Sequence, residues 1–434
     1  MTNGRDSITA NVRRTVLDNG LTVLTREVHS APVVSFWVWY RVGSRNEHPG
    51  LTGLSHWVEH MLFKGTPTYP QGDFDRLVQR EGGYFNGMTW IDWTTYYETL
   101  PSDRIDLALR MEADRMVNSL FDAKETESER TVIISEREGS ENRPTYLLAE
   151  QVQALSFQAH PYHHMVIGWK EDLRTITRDD LYRHYRTYYV PNNAVIVAVG
   201  DFETGVMLDR IQALYGRLPA TTDTPSLRIH EPPGRGERRI RMEGPSGAAY
   251  LSLNYRAPAA THPDFFPLAV ADAILSGAKG MPPFGGAPLG RSARLYRALV
   301  NTGLAVSISS SLGATIDPYL FTISATAHPQ HTSDEVEGAI LAEIERIQTE
   351  PVSAEELAKA IKGATAQFVY GSESVTNQAL WLGFSEIVAS TGWLAGFLDH
   401  LGAVTAEDVQ RVASAYLSAR NRVVGWYLPD GGSH

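Results

Sequence analysis

The sequence predicts an α+β protein of two similar domains, and three observations predict it. The chain has 434 residues, enough at roughly 150 residues per domain for two or three cores. Residues 180–201 (DLYRHYRTYYVPNNAVIVAVGD) and 408–430 (DVQRVASAYLSARNRVVGWYLPD) share one pattern. Each has an amphipathic helix, a Tyr-bearing end, an Asn-containing turn and an apolar strand ending at Asp. Finally, long helical patterns and apolar strands do not alternate strictly, which points to mostly antiparallel sheets with helices packed on one face.

The remaining elements follow the same reading. Residues 33–43 (VVSFWVWYRVG) and 248–258 (AAYLSLNYRAP) each read as a strand ending in Tyr-Arg, followed by a polar turn and an apolar helix. Thr177 and Thr405 each stand three residues before an Asp, as helix caps do. The two copies are offset by 228 residues (180 to 408), too long for a solenoid period, so a duplicated domain is expected. The stretch 218–237, rich in Pro, Thr, Gly and Arg, supplies the linker. The predicted division is a domain over 1–222, a linker over 223–237 and a second domain over 238–434.

Composition removes several function classes. Thirty-nine Lys and Arg against 50 Asp and Glu give a net charge of −11, which argues against nucleic acid as a main partner. Without cysteine, disulfides, a thiol nucleophile and thiolate metal sites are excluded, so any metal must be held by His, Asp or Glu. No apolar run approaches the roughly 18 residues that span a bilayer. The N-terminal MTNGRDSITANVRR lacks the apolar core of a secretory signal. The expectation is a cytoplasmic protein with no membrane partner.

The chemistry concentrates in residues 51–65, LTGLSHWVEHMLFKG. Leu54, Val58, Met61 and Leu62 recur at helical spacing. On that helix His56 and His60 are one turn apart and Glu59 lies beside them. Two such imidazoles can share one Zn²⁺, and the Glu can take a proton from water at the metal. The order is H-x-x-E-H, the inverzincin signature. A third ligand is required. Residues 122–143 (DAKETESERTVIISEREGSENR) read as a helix with Glu129 and Glu136 two turns apart on one face, though spacing alone does not choose among its many carboxylates.

HWVEH followed 76 residues later (60 to 136) by Glu136 resembles the pitrilysin/insulinase family of zinc metallopeptidases. Residues 82–100 (GGYFNGMTWIDWTTYYETL) resemble that family's Asn-Ala-x-Thr and Asp-x-Thr-x-Tyr-Tyr stretches, with Gly87 where Ala is usual. His160-Pro161-Tyr162, Gly168, Tyr189-x-Pro191-Asn192-Asn193 and Gly200-Asp201 resemble further family signatures, so the likeness runs through nearly the whole chain. It is most similar to the half-length members, such as the mitochondrial processing peptidase subunits and their bacterial relatives.

The resemblance implies one Zn²⁺ per chain on His56, His60 and Glu136, with Glu59 as general base and Glu129 tuning the metal through a ligand. It implies a peptide substrate adding as a strand along Phe85, Asn86 and Gly87. It also implies that each chain forms half of a clamshell chamber. Many active members carry an Arg and a Tyr in Arg-x-x-x-Gly-Leu-x-Tyr. The matching stretch 294–307 (RLYRALVNTGLAVS) has Val306 at the Tyr position and Leu299 or Val300 at the Arg position, with Arg297 out of register. A related subunit supplying both residues, hence a heterodimer, is the expectation. A homodimeric peptidase and a non-catalytic core-type scaffold are the alternatives. Residues 276–292 (SGAKGMPPFGGAPLGRS) miss the P-loop pattern, having Arg291 in place of Lys, and read as a Gly/Pro loop. His163 and His164 read as structural or surface residues.

Overall fold

The computed structural model describes residues 8–221, 224–280 and 290–430. Most of the Gly/Pro-rich stretch after residue 280 therefore lies outside the described residues. The chain divides into two compact units. One comprises residues 1–137, 164–228 and 372–395, the other residues 138–163, 229–371 and 396–434.

The first unit is built on six strands: β1 (Arg13–Val16), β2 (Thr22–Glu27), β3 (Val33–Tyr40), β4 (Tyr84–Thr89), β5 (Thr94–Pro101) and β6 (Ala194–Gly200). Their order is β1-β2-β6-β3-β5-β4, with β2 parallel to β6 and every other pair antiparallel. The run VVSFWVWY alternates between two faces. Phe36, Val38 and Tyr40 join the main core with Leu54, Trp57, Val58 and Met61 from α1 (Leu54–Met61). Trp37 and Trp39 stack on the opposite face, with Tyr97 against Trp37 at 4.0 Å.

The second unit repeats the plan with β7 (Arg238–Gly244), β8 (Tyr250–Arg256), β9 (Ala305–Leu312), β10 (Leu320–Ala327) and β11 (Arg422–Pro429). The order β7-β11-β8-β10-β9, with only β7 and β11 parallel, matches the first sheet strand for strand once β1 is set aside. The matched helices α5 (Arg178–Tyr188) and α7 (Ala406–Tyr416) each open with a capping box, Thr177 with Asp180 and Thr405 with Asp408. Such a cap contributes about 1 kcal/mol. Each helix also ends alike: Asn193 Nδ2 donates to Tyr188 O at 2.8 Å, and Asn421 Nδ2 to Tyr416 O at 2.9 Å.

Neither unit is a continuous stretch. Helix α4 (Pro144–Ser156), from the first half of the chain, packs on β8 and β11 through Leu148 and Val152 against Val423 and Tyr427. Helix α6 (Val375–Val388), from the second half, packs on β3 and β6. The division at 222 and 238 expected from the sequence thus differs from the compact units by this exchange. The cause is apolar: β6 is buried at every residue, which requires cover on both faces. Arg41 Nη1 donates to the Glu386 carbonyl at 2.9 Å at the end of α6, and Arg14 pairs with the Glu386 carboxylate at 3.0 Å. No helix among the described residues is long and apolar enough to cross a membrane.

Candidate metal centre

Helix α1 is held by its apolar face and by its first turn. Gly53 precedes it at φ +92°, where a Cβ would meet the Ile167 carbonyl at 2.5 Å. The buried Glu47 carboxylate accepts from Gly53 N and Ser55 N, both at 2.7 Å, which satisfies two of the orphan donors at the helix start. With Trp57, Val58 and Met61 locked in the core, the opposite stripe carries His56, Glu59 and His60. The rings of His56 and His60 stand edge to face, 4.6 Å apart.

After α2 (Asp73–Arg80), helix α3 (Ala123–Glu141) lies opposite α1 and carries Glu129 and Glu136 two turns apart. His56 Nε2 and His60 Nε2 stop 3.9 and 3.8 Å from Glu136 Oε2. Those gaps are too long for hydrogen bonds, yet one ligand atom from each of the three residues lies within 4.8 Å of the others. Among the described residues this is the one group of three or more His, Asp or Glu side chains able to hold an ion.

A neutral His56 and an ionised Glu129 suit a cation, while His60 leans the other way. Burial, and then the neighbouring His60, push the His56 imidazole down to about 3, so it is neutral at physiological pH. Its Nδ1 is buried without a hydrogen-bond partner. His60 Nδ1 donates to Glu129 Oε1 at 3.0 Å, which leaves its Nε2 lone pair facing Glu136. Burial opposes charge on His60, but the bond to Glu129 and the nearby carboxylates outweigh it and raise its pKa. Glu129 is held below the usual range, its burial outweighed by His60 and by Lys64, which pairs with Oε2.

Glu59 is 8% exposed, and burial raises its pKa. Its Oε2 accepts from Thr89 Oγ1 at 2.6 Å. Phe85, Asn86 and Gly87 lie on β4, the edge strand of the sheet, whose outer side no other strand covers among the described residues. A Cβ on Gly87 would meet Phe63 Cζ and Tyr96 Cδ1, each at 2.9 Å, which accounts for glycine where the resembled family has alanine.

Nothing in the sequence ties Lys64, Glu47 or Arg115 to the site. Arg115 is fully buried beneath it. Arg115 is paired with Glu98 and Glu112 and stacked 4.2 Å over Tyr96 and 5.3 Å over Phe63. In the second unit, Leu299 is buried in the helical turn Tyr296–Val300, while Val306 is exposed on β9. Arg294 is committed to Glu356 through two bonds of 2.8 and 2.6 Å.

Residues 22–168 match the insulinase (peptidase family M16) model, and residues 175–364 match the peptidase M16 inactive domain. An uncharacterized zinc protease of Streptomyces coelicolor is 26% identical over 418 residues, 94% of this chain and 88% of its own. The mitochondrial-processing peptidase subunit beta of Blastocladiella emersonii is 26% identical over 94% of this chain and 87% of its own. The crystal structure of a protease from Helicobacter pylori matches at TM-score 0.91 and 25% identity, covering 96% of this chain and 99% of that one. A chain of complex III2 from Candida albicans shares the fold at TM-score 0.78 and 17% identity, over 96% of each chain.

Proposed function

Because the chain belongs to the insulinase (M16) peptidase family, we propose that it is the zinc-bearing subunit of a metalloendopeptidase that hydrolyses peptides or unfolded segments in a chamber closed by a second chain. The observation that carries this reading is the convergence of His56, His60 and Glu136 within 4.8 Å beside the buried Glu59. Two neutral-capable imidazoles and one carboxylate are a zinc donor set with room for a further ligand. When bound, zinc supplies Lewis-acid activation of water and of the scissile carbonyl.

The chain's own residues supply the rest. Glu59 accepts the proton of the attacking water and returns it to the leaving amine. Glu129 fixes the His60 tautomer through Nδ1. The open edge of β4 at Phe85, Asn86 and Gly87 pairs with the peptide backbone, which gives affinity with little sequence demand.

A heterodimer belongs to the same reading. The Val306 side chain has no hydrogen-bond donor, Leu299 is core and Arg294 is held by Glu356, so a related subunit supplies the Arg and Tyr. A cytoplasmic location rests on the sequence alone and is tested by fractionation. The non-catalytic alternative is favoured by the inactive-domain match and the fold shared with a complex III chain. The complete HxxEH with Glu136 opposes it. Cleavage of a quenched fluorescent peptide decides between them, measured on wild type and Glu59→Gln with zinc content determined on the same samples. Zinc-dependent cleavage lost in Glu59→Gln supports the proposal. A chain that cleaves nothing, alone or with a related subunit, refutes it.

A further inference from the structure

The side chains of β4 alternate, and one face of the strand is turned toward α1. Phe85 packs its ring 5.7 Å from Phe63, just beyond the end of α1. Gly87 lies so close to the same ring that a Cβ would stand 2.9 Å from it. Thr89, the next residue on that face, reaches the carboxylate of Glu59 at 2.6 Å. This is a short hydroxyl-to-carboxylate bond, of the stronger charge-assisted kind when Glu59 is ionised. It occupies Oε2. Thr89 is the only hydrogen-bond partner of this carboxylate among the described residues, which leaves Oε1 as the free oxygen of the pair. The Thr89 hydroxyl is itself 3.4 Å from that of Thr94, whose hydroxyl donates to the Val42 carbonyl at 2.9 Å. A carboxylate on a flexible Glu is thereby tied to the sheet.

We propose that Thr89 is the positioning residue for Glu59, so that the strand whose edge is offered to the peptide also fixes the orientation of the proton acceptor. This rests on the proposed function. The bond lies two residues along the same strand from Gly87, so a backbone docked on that edge and the free oxygen of Glu59 share one rigid frame. In this role Thr89 acts through Glu59, to which its hydroxyl is bonded. Its loss is a fault of geometry, and displacements of about 1 Å cost up to about a hundredfold in rate.

The test uses the active assembly, with the related subunit if cleavage requires it, and compares wild type, Thr89→Val and Thr89→Ser. Valine keeps the shape and the strand preference and removes only the hydroxyl. The expected result is a fall in kcat of about tenfold or more for Thr89→Val. KM should stay within about twofold, because the strand edge is unchanged. Zinc content should match wild type, and Thr89→Ser should recover most of the loss. A structural role would move KM, zinc content and kcat together and would not be rescued by serine. Unchanged kcat in Thr89→Val, or an equal loss in Thr89→Ser, overturns the proposal while leaving the peptidase reading intact. A wild-type assembly that cleaves nothing overturns both.

Discussion

Glu129→Gln tests how the proposed site would hold zinc. The Glu129 carboxylate serves two donors: Oε1 accepts from His60 Nδ1 at 3.0 Å and Oε2 pairs with Lys64. An amide cannot serve both. If its oxygen faces His60, its NH₂ is driven against the Lys64 ammonium. If it turns round, the NH₂ forces His60 to give up the Nδ1 proton and carry it on Nε2, the nitrogen 3.8 Å from Glu136 that a metal needs. Either outcome weakens zinc binding, and loss of such an outer partner typically costs tenfold to about a hundredfold in affinity, or about 1.4–2.7 kcal/mol. A smaller opposing effect exists. Glu129 raises the His60 pKa, so its loss also relieves proton competition. Measuring at about pH 8, well above the ordinary histidine value, reduces that contribution. The assay is a competition titration against a zinc-chelating dye on folded protein. Lys64→Met supplies the control: with the ammonium gone the amide can face His60 unopposed, so the double variant should lose less than the sum of the singles. A Glu129→Gln dissociation constant within twofold of wild type refutes this account of the site.

Other consequences follow from the same geometry. Glu59→Gln should retain zinc and lose about 10²–10⁴ in kcat, read by metal analysis beside a peptide assay. Arg115→Met removes the partner of two fully buried acidic side chains, Glu112 and Glu98, the latter pushed up to about 8 by burial, and should cost about 3–5 kcal/mol in urea unfolding; wild-type stability would contradict the buried Arg115 cluster. Gly383→Ala sets a Cβ 2.0 Å from Trp39 Nε1 beneath α6. It should destabilise by about 1–3 kcal/mol despite alanine's helix preference, and an unchanged melting curve would mean that α6 does not cover β3. Zinc at about a hundred times its dissociation constant should add about 2.7 kcal/mol of stability, a rise in Tm that a chelator reverses.

Part of the candidate site is legible in the sequence because it is local. His56, Glu59 and His60 share one helix, where spacing alone predicts a common face, and the capping threonines and turn asparagines announced the duplication. Glu136 needed the family resemblance, because its helix offers many carboxylates at equivalent spacings. The exchange of α4 and α6 was not legible. Their apolar faces specify that they are buried, and nothing in a helical period says against which sheet. Arg115, Lys64 and Glu47 were missed for one reason: charged residues usually face water, and only their partners, distant in sequence or on neighbouring turns, show why these do not. Gly87, read as a departure from the family pattern, is explained by the rings of Phe63 and Tyr96 against the strand.

Metal content and peptide cleavage on one preparation, first for this chain alone and then with a related subunit added, test the proposed zinc site of His56, His60 and Glu136 beside Glu59. The expected result is one zinc per chain, abolished in His56→Ala, and cleavage that needs both the metal and Glu59 and rises when the second subunit is present. A folded chain that binds no zinc would contradict it.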